Sequence, residues 1–156
     1  MPQRDYLLRL IEQAGLMLRR AIEQRERRSP QEALQSVMAG CERLFGLEPV
    51  ELFRLTPDQH YAMLTADGAA DAREKVLIYA ALNAEAARAF LQLNQPAHAR
   101  PSFVNALRLV LQARLAFPAD GWPDYAPREA DLLAALAGEP LDADTAALLA
   151  SVRGGT

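Results

Sequence analysis

Residues 73–117 constrain this chain more than any other stretch: REKVLIYAALNAEAARAFLQLNQPAHARPSFVNALRLVLQARLAF. Apolar residues recur there every three to four positions, the spacing of a helix face rather than a strand. In the first half, Val76, Ala80, Asn83, Ala87 and Phe90 share a face, and Leu77, Ala81, Ala84 and Leu91 widen it. In the second, Phe103, Val104, Ala106, Leu107, Val110 and Leu111 leave only a polar strip of Ser102, Asn105, Arg108 and Gln112. A helix with so narrow a wet strip belongs between neighbours, not at an edge. The break at 92–96 is short and ends in proline, so the two helices form a hairpin. Small residues at Ala84, Ala87, Ala99 and Ala106 let its two axes approach closely.

Other segments must then enclose this hairpin. Half the chain is hydrophobic, mostly Ala and Leu with few aromatics, and that balance favours helices. A first helix is expected over 4–27, with Leu7, Leu10, Ile11, Ala14, Met17, Leu18, Ala21 and Ile22 on its apolar side. Ser29-Pro30-Gln31-Glu32 has the form of a helix start, with Ser29 as cap. The helix it opens carries Ala33, Leu34, Val37, Met38, Cys41, Leu44 and Phe45 and stops at Gly46. Short helices are expected at 49–55 and 59–64, the latter opened by a capping box from Thr56 to Gln59. Asp67-Gly68 signals a turn, and Asp71 is placed to cap the central hairpin, with Glu74 three residues on. After a Pro- and Gly-bearing loop at 118–126, two last helices are expected at 127–136 and 144–152, with fraying from 153. The expected fold is all-α, six to eight helices in a single domain spanning 1–156. At 156 residues such a chain buries about two thirds of its unfolded surface without staples.

Composition narrows function mainly by subtraction. A net charge of −3 argues against general nucleic-acid binding, though the charge is unevenly placed. Arg4, Arg9, Arg19, Arg20, Arg25, Arg27 and Arg28 crowd one end, and Asp120, Asp124, Glu129, Asp131, Glu139, Asp142 and Asp144 the other. Gln31, Glu32 and Gln35 do not make a recognition-helix set. Glu12, Glu23 and Glu26 interrupt the first helix as a membrane-surface element. No apolar run reaches membrane-spanning length, and the first residues are too charged for a signal peptide. Cys41 is alone and falls on an apolar face, so a buried thiol in a cytoplasmic protein is expected.

Chemistry is equally sparse. His60 and His98 are the two histidines, and Asp58-x-His60 alone is short of a metal site. Ser29, Ser36, Ser102 and Ser151 lie in no nucleophile motif, and the glycines form no phosphate loop. No catalytic residue, cofactor or metal is expected.

The central hairpin resembles a tetratricopeptide repeat. Ala87, Phe90, Asn94, Ala99, Phe103 and Ala106 stand where that repeat has its small, aromatic and turn positions. It departs from the pattern in lacking the closing proline and in carrying Ala86 where leucine is usual. A degenerate second copy over the first two helices fits at Ala21, Ala33 and Val37 but not at Gln24, Arg28 and Gly40. The resemblance implies antiparallel, tetratricopeptide-like hairpins over 4–117. Separately, Asp5-Tyr6-Leu7-Leu8-Arg9-Leu10-Ile11-Glu12-Gln13 resembles the opening helix of an uncharacterised bacterial all-helical family, with similarity running to about Leu115. That family brings no activity to transfer.

The function expected is therefore a non-enzymatic protein-interaction or assembly module. By the repeat analogy Arg88, Leu91 and Gln92 would face a partner segment, with Arg88 its carboxylate contact. Trp122 and Tyr125, the two loop aromatics, either pin the loop or form a hot spot. A protein or peptide is the expected partner, with homodimerisation through the basic and acidic ends as a further arrangement; neither membrane nor nucleic acid is expected. The alternatives are a helical pocket for a small apolar ligand or an unrecognised reaction, and a nucleic-acid-binding helical protein. The pocket alternative requires a cavity beside the central pair with a convergent polar group; a solid core there rejects it.

Overall fold

The computed structural model describes residues 2–66, 69–118 and 121–154. Those residues form eight helices and no strand: α1 (Pro2–Glu26), α2 (Pro30–Phe45), α3 (Pro49–Leu52), α4 (Pro57–Thr65), α5 (Ala69–Gln92), α6 (Pro96–Ala116), α7 (Glu129–Ala135) and α8 (Ala143–Gly154). The expected Asp67-Gly68 turn, loop residues 119–120, residues 155–156 and the side chains of Arg4 and Leu7 lie outside the described residues.

α5 is the axis of the molecule. Residues 75–82 are buried without a break, so this part of the helix has no solvent face at all. A helix that is wetted nowhere must have neighbours all round, and α1, α2, α4 and α6 supply them. Leu77, Leu82, Leu107 and Leu111 are fully buried, each contributing about 1.5–3 kcal/mol relative to exposure. α1 turns its Ile11, Ala14, Leu18 and Ala21 inward, the face expected of it. Gly40 sits in a close approach: a Cβ there would lie 3.0 Å from Leu82 and 3.3 Å from Met17.

Directions follow from contacts. Leu18 and Ile22 lie with Ala81 and Ala84 around one cleft, and Arg25 reaches Glu85, so α1 and α5 run the same way. Phe45 meets Tyr79 edge-on while Leu34 shares a wall with Phe90, so α2 runs against α5. The hairpin turn at 93–95, with Asn94 at φ 58°, sends α6 back against α5 as well. α2 and α6 are thus parallel to each other, on either side of α5.

The C-terminal segment is fastened by arginines of α6. Arg100 donates to the carbonyls of Leu136, Glu139 and Pro140 and pairs with Glu139. Arg108 reaches Thr145 and Asp58, and Arg114 pairs with Glu129. Arginines gathering the last carbonyls of a helix are favourable there. α7 and α8 accordingly dock on α6.

Local start signals held in part. Thr56 and Gln59 form the full capping box, and Gly46 ends α2 at φ 70°. Ser29 stands at the cap position of α2, but its hydroxyl makes no cap bond. Asp71 is not a cap, because α5 begins two residues earlier, at Ala69. α3 ends at Leu52, short of the expected 55. For α8 the capping role falls to Asp142: its carboxylate accepts from the Thr145 amide at 3.1 Å and the Thr145 hydroxyl at 2.7 Å. Those bonds hold the Asp142 carboxyl below the usual carboxylate range.

Candidate functional site

α5 presents different chemistry on its two flanks. Toward α1 the residues singled out from sequence are largely engaged within the chain. Glu85 is only 4 % exposed and binds two arginines. Arg25 spans both its oxygens, and Arg88 donates to one at 2.8 Å. The carboxylate that Arg88 holds is therefore one of its own helix. Gln92 donates to the Arg25 carbonyl at 3.0 Å, which ties the ends of α1 and α5 together. Leu91 is exposed.

The 121–128 segment runs over this same flank. Arg73 donates to the Gly121 carbonyl at 2.6 Å. The Trp122 ring meets the guanidinium groups of Arg73 and Arg114, at 5.6 and 4.9 Å from its centroid, and its indole N–H donates to the Pro127 carbonyl. Cation–ring contacts of that kind fasten a loop. Tyr125 and Arg88 come together around a cleft of about 200 Å³ that Glu85, Asp124, Arg128 and Asp131 also line. Burial pushes the Tyr125 phenol up to about 12.

The other flank is open and uncharged. Between α2 and α6, with α5 as its floor, lies a cleft of about 390 Å³. α2 contributes Leu34, Gln35, Val37, Met38 and Cys41; α5 contributes Tyr79, Asn83, Ala86 and Phe90; Ser102 comes from α6 and Phe53 from just beyond α3. None of the described residues lining it is charged. Ala86 is a small residue in the floor, so it leaves more open space there than a large side chain would.

Apart from the exposed Gln35, the polar groups reaching the cleft each place a donor within the chain. The Asn83 amide donates to the Tyr79 carbonyl at 2.9 Å, and the Ser102 hydroxyl to the His98 carbonyl. The Tyr79 hydroxyl reaches His60 Nδ1 at 3.2 Å. His60 Nε2 lies 2.7 Å from the Leu52 carbonyl, an acceptor only, so Nε2 carries the ring proton and Nδ1 accepts from Tyr79. Phe45, His60 and Tyr79 then pack as a ring cluster under the cleft. This buried chain explains His60 without a metal: it fastens α3 and α4 to α5.

Cys41 is buried in the wall, and burial pushes its thiol up to about 12, with Glu42 adding to the shift. A thiol so held is a poor nucleophile. Among the described residues no three His, Cys, Asp or Glu side chains gather in a way that could hold a metal ion, and no helix is long and apolar enough to cross a membrane.

No protein-family model matches the chain, and no curated protein and no solved structure is significantly similar to it.

The cleft offers apolar surface and no charged side chain, so it favours an apolar, uncharged occupant. From sequence, Leu34, Met38, Cys41 and Phe90 read as ordinary core face.

Proposed function

We propose that this protein is a non-enzymatic interaction module that receives an amphipathic helix of a partner protein in the cleft between α2 and α6. The carrying observation is the cleft together with its shoulder. Phe53 lines the cleft and is 59 % exposed, and Val50, one helical turn before it, is 65 % exposed. A small ligand filling the cleft leaves that shoulder wet. A helix lying along the groove covers both, with apolar anchors at the i, i+3 or i+4, and i+7 spacing.

The order of packing supports a tetratricopeptide-like kinship: two antiparallel hairpins, α1–α2 and α5–α6, with α5 seated against both members of the first. In this reading α3 and α4 are an insertion between the hairpins, and they carry the Phe53 shoulder. A cytoplasmic setting agrees with the unpaired, buried Cys41.

A second reading has support in the volume. Roughly 150 Å³ of dry cavity suffices for benzene, so about 390 Å³ holds a larger apolar small molecule. One experiment separates the two. A photo-crosslinking residue at Met38, in cells, is expected to give an adduct of protein mass. Ala86→Leu, which puts a larger side chain into the floor of the cleft, is expected to reduce that adduct several-fold while leaving the melting temperature unchanged or raised. An adduct of only a few hundred daltons transfers the site to the small-ligand reading. No adduct, or one indifferent to Ala86→Leu, overturns both.

A further inference from the structure

The outer face of α1 carries an unusual combination of exposed apolar and charged residues. Tyr6 is 61 % exposed, Leu16 51 % and Leu8 36 %, while Ile11, Ala14 and Leu18 on the opposite face are buried. Leu8 and Leu16 are eight residues apart, so they stand on one stripe two turns from each other. Asp5, Glu12 and Arg19 continue the same stripe and are likewise exposed. α2 returns along α1 only as far as its end at Phe45, which leaves the first turns of α1 projecting past it.

We infer that this stripe is a self-association surface, on which α1 packs antiparallel against α1 of a second copy. The sequence is complementary to itself in that arrangement. Setting Leu8 of one copy against Leu16 of the other places Asp5 opposite Arg19 at both ends of the contact. Two-fold symmetry makes each of these pairs occur twice. Antiparallel helix dipoles also favour the arrangement. One element opposes it: Glu12 meets its own symmetry mate at the centre, and like charges there weaken the contact. With two leucine contacts and two rim ion pairs per dimer, the interface is small and the complex is a weak, concentration-dependent one.

The contact leaves the α2–α6 cleft free, because it lies on the far side of the α1–α2 hairpin from α5. It therefore stands independently of the helix-receptor function.

Sedimentation equilibrium of the full chain over a wide concentration range tests it. A reversible monomer–dimer equilibrium is expected. Leu16→Glu is expected to leave a monomer whose helical melting curve is unchanged, since Leu16 packs on nothing within its own chain's core. Asp5→Arg and Arg19→Asp should each weaken association, and the two together in one chain should restore it. Glu12→Gln should tighten it several-fold. A monomer at every concentration overturns the proposal. So does a dimer that Leu16→Glu leaves intact, or a charge-swapped double variant no tighter than its parents. The Met38 crosslink is unaffected by Leu16→Glu, so failure here and failure of the cleft are told apart.

Discussion

Two glycines in helix interiors illustrate how little a residue's type says about its surroundings. Gly15 has nothing within 4 Å of where its Cβ would stand, whereas Gly40 would meet Leu82 at 3.0 Å. Gly15→Ala is expected to stabilise the protein by about 0.5–1 kcal/mol, the helix-propensity difference alone. Gly40→Leu is expected to destabilise it by about 1–3 kcal/mol through overpacking between α1, α2 and α5. Thermal or urea unfolding of both variants checks the pair, and equal signs would refute the packing described for Gly40. Arg28 adds a third case, at φ 64° in the α1–α2 turn. A side chain there costs about 1–2 kcal/mol relative to the right-handed region, so Arg28→Gly should stabilise by up to about 1 kcal/mol. In the sequence Gly40 and Arg28 look alike, as positions that fit the repeat pattern poorly. Only packing shows that one is a close approach and the other a left-handed turn.

At the scale of elements, periodicity was a good guide and capping an uneven one. The faces of α1, α2, α5 and α6 follow from spacing, because burial of an apolar stripe dominates where a helix lies. Helix starts depend on single hydrogen bonds of about 1 kcal/mol, and those are easily reassigned: Thr56 caps as expected, Ser29 does not, and Asp142 caps α8 just ahead of the expected start at 144. The joint between α1 and α5 was not legible, since Arg25 and Glu85 are sixty residues apart. It carries a testable asymmetry. Glu85→Ala removes the shared carboxylate and leaves two arginines without it, yet both reach water, so a loss of about 1–3 kcal/mol is expected rather than the larger cost of a wholly buried pair. Arg88→Ala removes the more exposed partner and should cost under about 1 kcal/mol. Denaturant midpoints of the two variants check the ranking, and a costlier Arg88→Ala would place the weight of the triad on the wrong partner.

For the molecule as a whole, the same enclosure of α5 that creates the cleft also determines how stability responds to alkali. Cys41 and Tyr125 are both pushed up to about 12, and Tyr79 upward as well, in each case first by burial. In the unfolded chain a thiol titrates near about 8.5 and a phenol near about 10. Between those values and the folded ones, the folded state holds protons that the unfolded state has released. Stability then falls with rising pH, because its slope follows protons bound in the unfolded state minus those bound in the folded one. The full contribution is present below about pH 8.5, erosion begins with Cys41 as pH rises past that, and the tyrosines add to it above about pH 10. Each group contributes a slope of at most about 1.4 kcal/mol per pH unit. Melting temperatures measured from pH 7 to 11 should be level at first and then decline. Cys41→Ala should delay the onset to the tyrosine range, at some cost in stability at neutral pH from the lost side chain. A melting temperature that stays level to pH 11, or an onset that Cys41→Ala does not move, would mean that solvent reaches the thiol, and with it that the wall between α2 and α5 is looser than the cleft requires. The wall was foreseeable from the apolar face of α2; the opening beside it was not, because its size depends on how far apart α2 and α6 stand, which the spacing of residues along either helix does not report.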